Sequence, residues 1–224
     1  MRTVVITGIG KGIGKALAEK FVAEGYTVIG TTRSGTTDVA GAHAYQLDLT
    51  DPKSIESAAK AIRSAAPALD ILINNAGVLL DEDWISLDPE LLRKTLAVNV
   101  VGTATFTEAL KESIVASAGH IVNVSSTAGS LTLESGDGSA SHFPHHYPAY
   151  KISKTALNMY TRILAMELHG KAIVSSVHPG WVRTDMGGEE ADMTPAEAAE
   201  GIFNTAVARL ETGQFWFKTA KLPW

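Results

Sequence analysis

Met1-Arg2-Thr3-Val4-Val5-Ile6-Thr7-Gly8-Ile9-Gly10-Lys11-Gly12-Ile13-Gly14 leads directly into Lys15-Ala16-Leu17-Ala18-Glu19-Lys20-Phe21. The opening is a short run of apolar, mostly β-branched residues, which predicts a strand, and the closing stretch has helical period. The apolar run is too short for the hydrophobic region of a secretory signal. Between the two, glycines supply left-handed turns and leave backbone N–H groups unshielded by a Cβ, so that they can approach a pyrophosphate at the helix N-terminus. A glycine-rich turn also serves plain packing elsewhere. Set between a first strand and a first helix, it points to dinucleotide binding.

Outward from that stretch, apolar runs near 26 to 32, 43 to 47, 69 to 74, 119 to 125, 172 to 178 and 214 to 218 alternate with helical segments near 52 to 66, 89 to 117, 148 to 169 and 195 to 211. Asp51-Pro52 and Thr194-Pro195 each place a capping side chain before a Pro at the first helical position. Alternating strand and helix implies right-handed crossovers and a parallel sheet buried on both faces. The expected fold is α/β: a single doubly wound Rossmann domain over residues 1 to 224, a seven-stranded parallel sheet with helices on both faces. Ligands are expected beyond the carboxyl ends of the strands. Two segments interrupt the rhythm and are expected to serve as substrate loops: 127 to 148, rich in Ser, Gly and His, and 183 to 194, with Gly187-Gly188 and several acids.

Composition narrows the partners. The 224 residues are 45% hydrophobic and 19% charged, with a net charge of −5 and no run of Lys or Arg, which argues against a nucleic-acid binder. The absence of cysteine removes disulfides, thiolate nucleophiles and cysteine metal sites. No stretch approaches the roughly 20 apolar residues needed to cross a bilayer, so the expectation is a cytoplasmic protein that does not engage a membrane. His142, His145 and His146 form no helical ligand pair with an acidic partner, so no metal site is expected.

The order of motifs resembles the short-chain dehydrogenase/reductase family. The spacing TGxxxGxG is filled by Thr7, Gly8, Gly12 and Gly14, with Lys11 and Ile13 inside it; Asp48 and Leu49 follow the third strand; Asn74-Asn75-Ala76-Gly77 follows the fourth. Asn99, Ser126, Tyr150 and Lys154 come next, then Pro179-Gly180-Trp181-Val182-Arg183-Thr184. The resemblance implies a nicotinamide cofactor lined by the glycine turn, by Asp48 at the adenine, and by Leu49, Asn75, Ala76, Gly77, Pro179, Gly180, Val182 and Thr184. An acid after the second strand would bond a ribose 2′-OH and repel a 2′-phosphate, whereas this chain has Thr31-Thr32-Arg33 there. Arg33 and Lys11 match positions that NADP-preferring members use, so NADP(H) is expected over NAD(H).

Tyr150 and Lys154 are four apart, which on a helix puts them on one face, and a nearby ammonium can lower a phenol's pKa. The resemblance makes Tyr150 the general acid or base on the substrate oxygen and gives Lys154 two tasks, lowering that pKa and bonding the nicotinamide ribose. It makes Ser126 a hydroxyl donor to the same oxygen and has Asn99 hold a water linking Lys154 to solvent. Ser125 and Tyr147 are the neighbouring residues that could be confused with Ser126 and Tyr150. The separation of 24 positions from Ser126 to Tyr150 exceeds the spacing in many members and resembles the carbonyl reductase and Sniffer-like branch. The expected reaction is hydride transfer between a nicotinamide and a small carbonyl or alcohol, in a pocket lined by Phe143, Pro144, Trp181 and Met186. A homodimer or homotetramer is compatible with the family. A non-catalytic NADP(H) sensor or scaffold would not need Asn99, Ser126, Tyr150 and Lys154 together, and an extended-branch epimerase would carry a longer C-terminal substrate region.

Overall fold

Residues alternate their side chains across a strand, so a strand with consecutive apolar residues needs a hydrophobic layer on each face. β1 (Thr3–Thr7) is such a strand, and the computed structural model, which describes residues 2–82, 86–134 and 146–224, sets it near the middle of one sheet. The other strands are β2 (Thr27–Thr32), β3 (Ala42–Gln46), β4 (Ile71–Asn74), β5 (His120–Val124), β6 (Ile173–Val177), β7 (Gln214–Phe217) and β8 (Ala220–Leu222), in the order β3-β2-β1-β4-β5-β6-β7-β8. Val4 and Ile6 face one layer with Leu17, Ala18 and Phe21 of α1 (Gly12–Ala23) and Ile202 and Phe203 of α6 (Pro195–Val207). Val5 faces the other, with Ile55 and Ile62 of α2 (Pro52–Ala65), Phe106 and Leu110 of α4 (Thr103–Ala116) and Leu164 of α5 (Pro148–Glu167). Each such fully buried side chain stabilises the fold by about 1.5–3 kcal/mol relative to exposure. The two layers fix the height of every strand end.

Among the described residues the sheet has eight strands, not seven, and is not wholly parallel. β8 returns antiparallel to β7, with Phe217 opposite Ala220. The two residues between, Lys218 and Thr219, have φ of 48° and 69°. This is the backbone of a two-residue hairpin, which usually carries Asn or Gly, so the sequence lacks the usual sign of it.

The helical segment expected over 89 to 117 is continuous but not uniform. α3 (Pro89–Leu96) passes into a π-helical turn at Ala97–Gly102 before α4. Such turns are frequent at functional sites, and this one contains Asn99. In and beside the segment 183 to 194, expected as a substrate loop, Arg183 N–H donates to Met193 O at 2.8 Å, Met193 N–H to Trp181 O at 3.0 Å and Trp181 Nε1 to Gly187 O at 2.7 Å. No described helix is long and apolar enough to cross a membrane.

Candidate active site

β1 pairs with β2 on one side and β4 on the other, so the chain winds away in opposite directions from the carboxyl ends of β1 and β4. A crevice opens at such a switch point. Thr31 O at the end of β2 accepts from the N–H groups of Gly8 and Ile9 at 2.9 and 3.0 Å, folding the glycine turn back over the sheet. Thr7 Oγ1 accepts from Asn75 and Ala76 N–H at 3.0 and 2.9 Å, and Asn75 Nδ2 donates to Thr7 O at 2.9 Å, so the turns after β1 and β4 are tied together. Gly14 is required by this closeness: a Cβ there would stand 2.1 Å from Gly8 O and 2.5 Å from Asn75 Nδ2. α1 starts without a side-chain cap and without an acid in its first turn, which leaves its positive end facing the crevice.

At the outer end of this crevice, Arg33 is exposed just beyond β2. Asp48, just beyond β3, accepts from Thr50 N–H at 2.8 Å and from Thr50 Oγ1 at 2.7 Å. Those bonds, helped by the Arg33 charge, hold its carboxyl below the usual range. Leu49 is buried in the core beneath. Lys11 is not free-standing, since its Nζ pairs with the Asp185 carboxylate of the 183 to 194 segment. Thr184 lies over the turn, with its Cγ2 3.2 Å from where a Gly12 Cβ would be.

At the inner end lies a cavity of about 420 Å³ lined by Ile13, Ser126, Tyr150, Pro179, Gly180, Val182 and Thr184, all expected site residues, and by Trp181 and Met186. Ser126 shares the cavity wall with Tyr150, whereas Ser125 Oγ donates to Lys154 O at 3.4 Å. The segment carrying Ser126 is pressed on α5 at Gly129, where a Cβ would meet the Lys154 backbone at 2.6 Å. Lys154 Nζ lies 5.4 Å from the Tyr150 ring centre and donates to Val124 O at 2.8 Å. Gly77 brings the remaining pair close: a Cβ on it would lie 3.3 Å from Asn99 Oδ1 and 3.7 Å from Lys154 Nζ. Asn99 itself accepts from Val78 N–H at 2.8 Å and donates to Val78 O at 2.9 Å and to Ser153 Oγ at 3.0 Å.

Burial sets the proton affinities here. It pushes the Tyr150 phenol above its ordinary value, against the opposing effect of the neighbouring Ser126 hydroxyl, and the expected lowering by Lys154 does not prevail. Burial also lowers the Lys154 ammonium to about 8. Sequence reasoning missed other wall residues: Leu79, Glu82, Glu134 and His178 line the cavity, and so does Tyr147, considered only as a rival to Tyr150. Their positions depend on loop folding, which leaves no periodic signal. Phe143, Pro144, His142 and His145 lie outside the described residues.

A doubly wound sheet, a glycine turn at its switch point and a Ser–Tyr–Lys group beside the same crevice define an oxidoreductase of the nucleotide-dependent α/β class. The sequence profile of the short chain dehydrogenase family matches residues 2–195, and the chain belongs to that family. It is 33% identical over 195 residues to an NAD-dependent glycerol dehydrogenase of Listeria innocua, covering 83% of this chain and 72% of that protein. The crystal structure of NADPH-bound carbonyl reductase from chicken fatty liver matches with a TM-score of 0.89 at 26% identity, over 100% of this chain and 99% of that one. Carbonyl reductase Sniffer of D. melanogaster shares the fold with a TM-score of 0.87 at 24% identity, over the full length of both chains.

Proposed function

We propose that the protein is an NADP(H)-dependent carbonyl reductase, with Tyr150 passing the proton to or from the substrate oxygen. The observation that carries this reading is that Tyr150 and Ser126 line one cavity wall together, with the Lys154 ammonium behind it, 5.4 Å from the Tyr150 ring centre. The crevice residues fit a dinucleotide. Gly8 and Gly12 take left-handed φ of 77° and 56°, Gly14 has no room for a Cβ, and the uncapped end of α1 faces the gap. Thr7, Gly8, Gly12, Ile13, Gly14 and Thr184 would hold the pyrophosphate side, Asp48 and Leu49 the adenine side, and Asn75, Ala76, Gly77, Pro179, Gly180 and Val182 the nicotinamide side. When bound, the nicotinamide supplies or accepts the hydride.

The chain's own residues handle the proton. A phenol kept protonated by burial is a donor to the oxygen of a carbonyl whose carbon is gaining a hydride, and Ser126 Oγ would steady that oxygen by a second hydrogen bond. The Tyr150 phenolate left behind is stabilised by the Lys154 ammonium, whose position is fixed by Val124 O. Asn99 ties the π-helical turn to the segment after β4 and to Ser153 of α5, which keeps these groups in register. Thr127, Ala128, Glu134 and Tyr147 of one expected substrate loop and Thr184, Met186 and Gly187 of the other line the cavity, which supports a role for both loops in shaping the substrate space. Preference for NADP(H) is supported by Arg33, by Lys11 and by the lack of an acid after β2.

The test is oxidation of NADPH, followed by the absorbance of the reduced nicotinamide, against aldehydes, ketones, quinones and diketones. Tyr150→Phe is expected to fold and to bind NADPH as the unmodified protein does while losing most turnover. Near-normal turnover in that variant would overturn the assignment and turn attention to Tyr147.

A further inference from the structure

Side-chain caps on this chain's helices are mostly local. Asp51 accepts from Lys53 N–H at the start of α2, Asp88 from Glu90 N–H at α3, and Thr194 forms a capping box with Glu197 at α6. α5 differs. Its first residue, Pro148, has no N–H, and the next, Ala149, donates to Asp81 Oδ2 at 2.6 Å across 68 positions of sequence. Asp81 is 1% exposed, and its Oδ1 has no hydrogen-bond partner among the described residues. Burying a carboxylate with one oxygen unsatisfied is costly, and a 20-residue helix already packed through Leu157, Thr161 and Leu164 does not need such a cap to form. The bond serves location.

What it locates is the first turn of α5. Tyr147 precedes it with φ 46° and ψ 58°, a left-handed backbone that costs a bulky residue on the order of 1–3 kcal/mol and persists only where its surroundings enforce it. Lys151 N–H to Tyr147 O at 3.1 Å closes the turn, and the Tyr147 and Tyr150 rings meet edge to face at 6.0 Å. Tyr150 follows Ala149 directly. A carboxylate here also complements the positive end of the helix. We propose that Asp81 is a positioning residue for Tyr150: from the segment after β4 it fixes the turn that sets where the phenol meets the cavity. This rests on the reading of Tyr150 given above.

The experiment compares Asp81→Ala, Asp81→Asn and Tyr150→Phe, using the most reactive carbonyl compound of the panel for kcat and KM and NADPH fluorescence for binding. Asp81→Ala is expected to lower kcat by about tenfold or more, as small misplacements of a reacting group do, with KM and NADPH affinity within about twofold. Asp81→Asn, whose amide oxygen still accepts from Ala149 N–H, should retain most of kcat. Should Asp81→Ala not fold, Asp81→Ser, too short to reach Ala149, carries the same expectation. A kcat near that of the unmodified protein in Asp81→Ala, equal losses in the Ala and Asn variants, or a loss shared equally with NADPH affinity would overturn the proposal. Tyr150→Phe separates the levels: if it stays active, the reading of Tyr150 fails first; if it is inactive while Asp81→Ala is unaffected, only the role of Asp81 fails.

Discussion

Burial acts on Tyr150 and Lys154 in opposite directions, holding a proton on the first and loosening one from the second. With Lys154 at about 8 instead of 10.5, its ammonium is mostly present at neutral pH and is lost as pH rises through about 8. Carbonyl reduction should therefore show a falling kcat limb near pH 8, and a flat profile from there up to 10 would remove Lys154 from the proton path. The titration of Lys154 does not itself unfold the protein over that limb. Because the folded pKa lies below the unfolded one, the unfolded chain binds more protons between about 8 and 10.5, so this group makes the fold more stable as pH rises through that window. At the other end of the crevice, Lys11 pairs with Asp185, and under the proposed NADP(H) preference it would also meet the 2′-phosphate. Their pair is solvent-exposed and so easily displaced. Asp185→Asn is expected to tighten NADPH binding by about two- to fivefold and leave NADH unchanged, whereas Arg33→Ala should weaken NADPH selectively. Equal changes for both cofactors, measured by fluorescence titration, would count against a 2′-phosphate at this position. The crevice residues were legible because glycine spacing and a YxxxK pair are chemical requirements written in adjacent positions. Asp185 and Asp81 were not, because each meets its partner from a distant segment.

At the level of elements, β5, β6 and α6 meet on one imidazole. His120 Nδ1 lies 2.9 Å from Ala206 O, which can only accept, so Nδ1 carries the proton and Nε2 accepts from Ser175 Oγ at 2.9 Å. Burial lowers its pKa from 6.5 to about 4, so the unfolded chain binds the extra proton first as pH falls. Stability from this group is complete above pH 6.5 and is lost as pH drops toward 4, on the order of 3 kcal/mol in all. Urea unfolding across that range should show the loss in the unmodified protein and a shallower slope in His120→Gln; identical slopes would show that other groups govern acid unfolding. The elements themselves were largely readable. Fully apolar strands and Pro-initiated helices leave local marks, and β1, α2 and α6 fall close to their expected places. β8 was not readable, because Ala220-Lys221-Leu222 is too short and mixed to carry a period and Lys218-Thr219 lacks turn residues. The π-helical turn around Asn99 escaped for a related reason: one extra residue in a helix hardly disturbs its apolar stripe.

Across the whole molecule, the far edge of the sheet reaches back to the cavity. β8 runs into Pro223 and Trp224, and Trp224 stacks on Phe215 of β7 with ring centres 5.5 Å apart and planes 17° from parallel. From there Trp224 O accepts from Thr132 N–H at 2.9 Å and Pro223 O from Ser130 Oγ at 3.0 Å. The segment so held continues to Glu134, which lines the cavity and bonds Lys151 Nζ of α5 at 2.5 Å. The cavity wall after Ser126 is thus pinned at one side by α5 and at the other by the β7–β8 hairpin. Each neutral hydrogen bond in this link contributes about 1 kcal/mol and the stacked rings a similar amount, enough to hold a surface segment but little beside the core. Removing Pro223 and Trp224 should therefore leave the doubly wound sheet and the glycine turn intact while loosening residues 130 to 134. Hydrogen exchange there should quicken by about tenfold or more, and KM for the carbonyl substrate should rise by about threefold or more with NADPH affinity nearly unchanged. Unaltered exchange over 130 to 134 together with an unaltered KM would show that the wall stands without the hairpin.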